Sequence, residues 1–145
     1  MEVYVCFCYN KKRITIQKYQ NSNTIKTREG KIMETMQGKK NIVLIGMPGA
    51  GKSTVGVVLA KRLGYRFLDS DLVIQEQTKK LLHELITEHG VDGFLKIEED
   101  INAGLDCEQA VIATGGSVIY GEKAMEHLRE IGCVVYLKLS YKEIE

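Results

Sequence analysis

Gly46-Met47-Pro48-Gly49-Ala50-Gly51-Lys52-Ser53 is the segment of this chain best equipped for chemistry. It has the form G-x-x-x-x-G-K-S and lies between an apolar run, Ile42-Val43-Leu44-Ile45, and a helical pattern starting near Thr54. Glycines so spaced let the backbone close around an anion, with N–H groups converging on phosphate oxygens. A helix starting there points its positive N-terminal end at the same anion. Lys52 can reach the outer phosphates of a nucleoside triphosphate, and the Ser53 hydroxyl can take one position on Mg²⁺. The plain alternative is a glycine-rich strand–helix turn with no ligand. Chance would supply the four fixed positions in roughly one chain in two hundred of this size, and the flanking strand and helix make it rarer. Binding of a nucleoside triphosphate is the expectation.

Asp69 and Asp71 are the second pair suited to chemistry. Residues two apart at an extended strand end point the same way. One carboxylate can then hold a metal-bound water while the other accepts a proton from an acceptor hydroxyl. Phosphoryl transfer needs this division, because the charge must be neutralised and the acceptor held in line. Helix capping is the structural alternative, since Asp71 precedes a helical run.

The elements that must position these groups alternate from residue 41 onward. A strand over Asn41 to Ile45 is followed by a helix from Lys52 to Leu63, with Gly64 placed to end it. Tyr65 to Leu68 reads as a second strand closing in Asp69-Ser70-Asp71. Helical patterns cover roughly 72–79, 81–88 and 94–105, with Gly90 and Gly93 as breakers. Ala110 to Ala113 is a third strand, stopped by Thr114-Gly115-Gly116, and a helix over Glu122 to Glu130 leads to a fourth strand, Val134 to Leu137. Strands alternating with crossover helices predict an α/β fold, a doubly wound parallel sheet with flanking helices of the P-loop NTPase type. Ligands of such sheets bind at the carboxyl ends of the strands, where Gly46, Asp69/Asp71 and Gly115 all fall.

Absences narrow the class. The third strand ends in Thr114 and two glycines rather than the metal-binding Asp usual in motor ATPases and GTPases. No Asn-Lys-x-Asp guanine signature follows the loop, and Asn10-Lys11 precedes it without the Asp. A kinase for a small molecule or nucleotide fits better than a switch or motor.

Over residues 41–145 the chain resembles the shikimate kinase family of small P-loop kinases. The resemblance rests on Gly46 to Thr54, Phe67-Leu68-Asp69-Ser70-Asp71, Gly93-Phe94-Leu95-Lys96-Ile97-Glu98, Ala113-Thr114-Gly115-Gly116-Ser117 and Val134-Val135-Tyr136-Leu137. It implies ATP-dependent phosphorylation of a shikimate hydroxyl, with ATP and Mg²⁺ as cofactors, on the route to aromatic amino acids. The implied nucleotide-binding set is Gly46, Gly49, Ala50, Gly51, Lys52, Ser53 and Thr54. Ser53 and Asp69 would serve the metal, Lys52 and Asp71 would be catalytic, and Asp71, Gly115 and Gly116 would bind the acceptor. Three departures from the family pattern stand out. Leu95 occupies the position of an arginine that pairs with the substrate carboxylate, and helix geometry is expected to turn Lys96 about 100° away from it. Ser117 replaces a third glycine. The family pattern continues beyond the position of Glu145 into a lid and a last strand, so both are expected to be missing here. A kinase for another polyol or nucleotide, or a nucleotide-binding module without catalysis, are the rival readings.

Length and charge fit one domain of this kind. The 145 residues carry a net charge of +1, which conceals an uneven spread. Residues 1–40 hold nine Lys/Arg against three Glu, and residues 41–145 hold eleven against sixteen Asp/Glu. The first forty residues read as a flexible basic extension preceding a kinase domain over 41–145. Their cations are not interleaved with aromatics, which argues for a solvated tail and against nucleic acid. The four cysteines lack disulfide or zinc spacing, no run is long enough to span a membrane, and no secretory leader is evident. A reduced, cytoplasmic monomer acting on a small molecule is expected. His83 and His89 superficially suggest a zinc-protease helix, but its second ligand would fall at Thr87.

Overall fold

The computed structural model describes residues 2–9, 13–19 and 41–138. Its strands are β1 (Glu2–Tyr9), β2 (Arg13–Tyr19), β3 (Asn41–Ile45), β4 (Arg66–Asp69), β5 (Ala110–Ala113) and β6 (Gly132–Lys138), and they form one sheet in the order β2-β1-β6-β3-β5-β4. The four strands β4, β5, β3 and β6 run parallel. The helices are α1 (Lys52–Leu63), α2 (Ser70–Thr78), α3 (Leu82–Ala103) and α4 (Glu122–Ile131), with a short 3₁₀ turn over Val118–Tyr120.

Strand β3 is buried on both faces, and alternation along it divides the core. Ile42 and Leu44 pack with Val111 against Ala60, Val55 and Leu59 of α1. Val43 and Ile45 pack with Ile112 and Val134 against Met125 and Leu128 of α4. A third cluster, Ile74, Leu85 and Phe94, joins α2 to α3. At the amino end of β3, buried Asn41 donates to the carbonyls of Cys107 and Ile131 and accepts the Ala110 N–H. That one side chain ties together the approaches to β5 and β6 at the end opposite the phosphate-type loop.

Three differences from the sequence reading have physical causes. Gly93 does not break its helix, because α3 bends only at Gly90, whose φ of 72° and ψ of 178° suit glycine alone. Glu2–Tyr9 and Arg13–Tyr19, which the sequence places in a flexible extension, are antiparallel strands. β1 pairs with the outer edge of β6 from Glu2↔Lys138 to Cys6↔Val134. Both segments are rich in β-branched and aromatic residues, and an open sheet edge supplies their backbone partners. Residues 1, 10–12 and 20–40, the rest of the expected extension, lie outside the described residues. Helix α2 also starts two residues earlier than its pattern suggested, with consequences for the aspartates.

Candidate active site

The Gly46–Gly51 loop leaves β3 at its carboxyl end and delivers the chain into α1. Gly46, Gly49 and Gly51 have φ of 152°, 76° and 82°, values that side chains with a Cβ rarely adopt. At Gly46 a Cβ would also come within 2.6 Å of the Leu137 carbonyl oxygen of β6. Lys52 follows at the first position of α1 and is almost entirely buried. Its Nζ curls back to donate to the carbonyls of Gly46 at 2.7 Å and Met47 at 2.8 Å. Burial lowers its proton affinity, and the carboxylates of Asp71 and Asp69 oppose that shift.

The loop forms one wall of a cleft of about 410 Å³. Pro48, Gly49, Gly51, Lys52, Ser53 and Thr54 line that wall. Asp69, Asp71, Thr114, Gly115 and Gly116 line the other, so three strand ends far apart in sequence meet in one space. Of the expected nucleotide-binding residues, Gly46 and Ala50 are not on the cleft surface. Ala50 is buried, and its N–H is taken by the Met47 carbonyl within the turn. Pro48 and Thr114 line the cleft without having been expected there. Thr114 could have been found from its place directly after a buried strand; its N–H and hydroxyl both donate to the Leu44 carbonyl.

The two aspartates divide their work differently from the capping alternative. Asp69, not Asp71, caps α2, accepting the Asp71 N–H at 3.0 Å. The helix begins at Ser70, so the cap falls one residue before it. The other oxygen of Asp69 accepts from the Ser53 hydroxyl at 2.9 Å. A hydroxyl and a carboxylate so paired are hard oxygen donors of the type Mg²⁺ takes. Asp71 is left without a capping duty and faces the cleft. Burial raises its proton affinity, the Asp69 carboxylate raises it further, and Lys52 works against both.

Behind the Gly115–Gly116 wall sits Glu98 of α3, with a relative exposure of 2%. It accepts a hydrogen bond from the Ser117 hydroxyl. Burial pushes its carboxyl up, the Ser117 bond opposes this, and the Asp71 charge adds to it. A second cleft of about 320 Å³ opens on the far side of this pair, and both Leu95 and Lys96 line it. Leu95 and Lys96 project about 100° apart on α3, as expected of adjacent helical positions. The cleft runs broadly along α3, and adjacent positions on that helix both border it. Among the described residues no group of three or more His, Cys, Asp or Glu is placed to hold a metal, and no helix is long and apolar enough to cross a membrane.

The family model that describes shikimate kinase matches residues 48–145, well over half of the chain. This chain belongs to the shikimate kinase family. The family's nucleotide is ATP. A curated shikimate kinase of Nostoc sp. (strain PCC 7120 / SAG 25.82 / UTEX 2576) is 44% identical over 98 residues, covering 67% of this chain and 54% of the relative. One from Clostridium botulinum (strain Eklund 17B / Type B) is 41% identical over 107 residues, covering 73% of this chain and 64% of the relative. Among solved structures, shikimate kinase from Acinetobacter baumannii in complex with shikimate superposes with a TM-score of 0.68 at 36% identity, over 75% of this chain and 62% of that one. Shikimate kinase from Aquifex aeolicus gives 0.66 at 30% identity, over 72% and 66%. The chain thus spans a little over half of the length of the curated shikimate kinases it matches. The doubly wound parallel sheet expected from the sequence is the fold of these shikimate kinase neighbours.

Proposed function

We propose that this protein transfers the γ-phosphoryl group of ATP to a hydroxyl of shikimate. The observation that carries this reading is the meeting of Lys52, the Ser53–Asp69 pair, Asp71 and Gly115 in one cleft of a shikimate kinase fold. In this reading the triphosphate lies along Gly49, Gly51, Lys52, Ser53 and Thr54. There N–H groups at the start of α1 and the Lys52 ammonium balance its charge. Gly46 serves from behind the loop, as a bond acceptor for Lys52 and a close-packed neighbour of β6.

Mg²⁺ would be held by Ser53 and Asp69, and when bound it supplies charge neutralisation at the phosphates. Asp71 accepts the proton of the acceptor hydroxyl. Its raised proton affinity brings it nearer to working pH than an ordinary aspartate, which favours a general base. Gly115 and Gly116 border the acceptor half of the cleft, where the lack of side chains leaves room beside Asp71. We also read the protein as a cytoplasmic monomer acting on a small molecule, with no nucleic-acid partner.

The test is ADP formation from ATP and Mg²⁺ with and without shikimate. Shikimate-dependent ADP release is expected. ATP binding without any stimulation would overturn the acceptor assignment. Leu95 favours a second reading, a kinase for another small polyol, because an apolar side chain cannot pair with a carboxylate as a guanidinium does. A panel of uncharged polyols in the same assay separates the two, and turnover with none would favour a nucleotide-binding module.

A further inference from the structure

Glu98 poses a question that the phosphate chemistry leaves open. A carboxylate at 2% exposure is costly unless something satisfies it. One turn earlier on the same helix face stands Leu95, which offers no donor. The donor comes instead from Ser117, on the turn that follows β5. The second carboxylate oxygen, Oε1, lies so close to Gly115 that a Cβ there would come within 2.4 Å of it. The same Cβ would come within 2.9 Å of Asp71 Oδ1. Gly115 is thus wedged between the two carboxylates, while its N–H donates to the fully buried Ser70 hydroxyl at 3.2 Å.

The turn from Gly115 to Ser117 is therefore held at two points, by Ser70 of α2 and by Glu98 of α3. Gly115 and Gly116 border the phosphate-side cleft, and Ser117 and Glu98 border the second cleft. The hold from α3 depends on one hydroxyl, and glycine at position 117 would not supply it.

We propose that Ser117 is a positioning residue, whose hydroxyl locks Glu98 behind Gly115 and so fixes the Gly115–Gly116 wall against which the acceptor is placed. Its kinetic consequence rests on the acceptor reading given above; its structural consequence does not. Without the hydroxyl, Glu98 loses its donor, the turn is released from α3, and Gly115 can move away from Ser70 and Asp71. Acceptor binding should weaken, and ATP binding, which depends on the opposite wall, should not.

Amide hydrogen exchange of the full chain, followed by NMR, tests this without relying on turnover. In Ser117→Ala the Gly115 amide should exchange roughly tenfold faster or more, the scale of one charge-assisted hydrogen bond. The β3 amides should keep their parent rates, and Ser117→Thr, which restores a hydroxyl, should restore Gly115. Where shikimate turnover is present, Ser117→Ala should also raise KM for shikimate about tenfold with KM for ATP unchanged. An unchanged Gly115 rate overturns the proposal, as does equal acceleration of Gly115 and β3, which would mean general loosening. Faster Gly115 exchange in a protein with no shikimate turnover would uphold the positioning role and refute the acceptor assignment.

Discussion

Ser53 and Asp69 are sixteen residues apart in the chain and 2.9 Å apart in the fold. The hydroxyl sits in the first turn of α1 and the carboxylate at the end of β4, so their meeting requires β3, β5 and β4 to lie side by side in register. The same Asp69 also caps α2. One residue thereby links the phosphate-type loop to the helix that carries Asp71.

Lys52 lines the cleft and is held by its own loop. Lys52→Ala should lower ATP turnover by about a hundredfold or more, the scale of losing one preorganised charge partner of the transition state. The fold should persist, because the side chain bonds only to carbonyls of its own loop. Turnover and thermal melting of the variant are the two readings. Parent-like turnover would remove the loop from the mechanism.

Asp71→Asn should reduce phosphoryl transfer by about 10²–10⁴-fold, the usual scale of a general base. The Kd for ATP should hardly change. In the parent, the acid limb of kcat/KM against pH should lie above the ordinary aspartate range, since burial and Asp69 raise the proton affinity of Asp71 in the free protein. Activity should fall as pH drops through that limb, because the protonated carboxyl cannot accept a proton. A variant with unimpaired transfer would leave Asp71 with no chemical role.

Gly115→Ala introduces the Cβ that meets Glu98 Oε1 and Asp71 Oδ1. Stability should drop by about 1–3 kcal/mol, the cost of overpacking a filled site. Transfer should suffer more than stability does, because Asp71 must move to make room. Denaturant titration alongside single-turnover transfer would show the two effects, and a variant matching the parent in both would contradict the close approach.

Glu98 gives stability a pH dependence of defined sign. Its folded proton affinity is raised above the ordinary value of 4.5, with burial the largest cause. The folded state therefore holds more protons than the unfolded chain from pH 4.5 up to the raised value, and stability falls as pH rises through that window. Glu98→Gln removes this contribution, so its unfolding free energy should decline less steeply with pH. Denaturant midpoints taken from pH 4.5 to neutrality check it, and parallel curves for variant and parent would refute it.

The loop, the strands β3 and β5, the helix α1 with its Gly64 cap, and the alternation of strand and helix from residue 41 onward were legible in the sequence. They depend on local signals: alternation or continuity of apolar residues, glycines at required backbone angles, and a fixed motif spacing. The antiparallel strands at Glu2–Tyr9 and Arg13–Tyr19 were not legible as part of the sheet, because the strand that joins them to it, β6, lies more than a hundred residues further along the chain. The capping role of Asp69 was missed because a two-residue shift of the helix start decides which aspartate faces the backbone.

The sequence alone determined that an anion-binding loop would leave a parallel sheet, with two carboxylates at the next strand end, since spacing and backbone preference act over a few residues. Only the tertiary structure decided that Ser53 would pair with Asp69, that Gly115 would be wedged between Asp71 and Glu98, and that Ser117 would satisfy a buried carboxylate. Those contacts join α1, α2, α3 and the turn after β5. They depend on how layers pack around a shared sheet, which spacing along the chain does not encode.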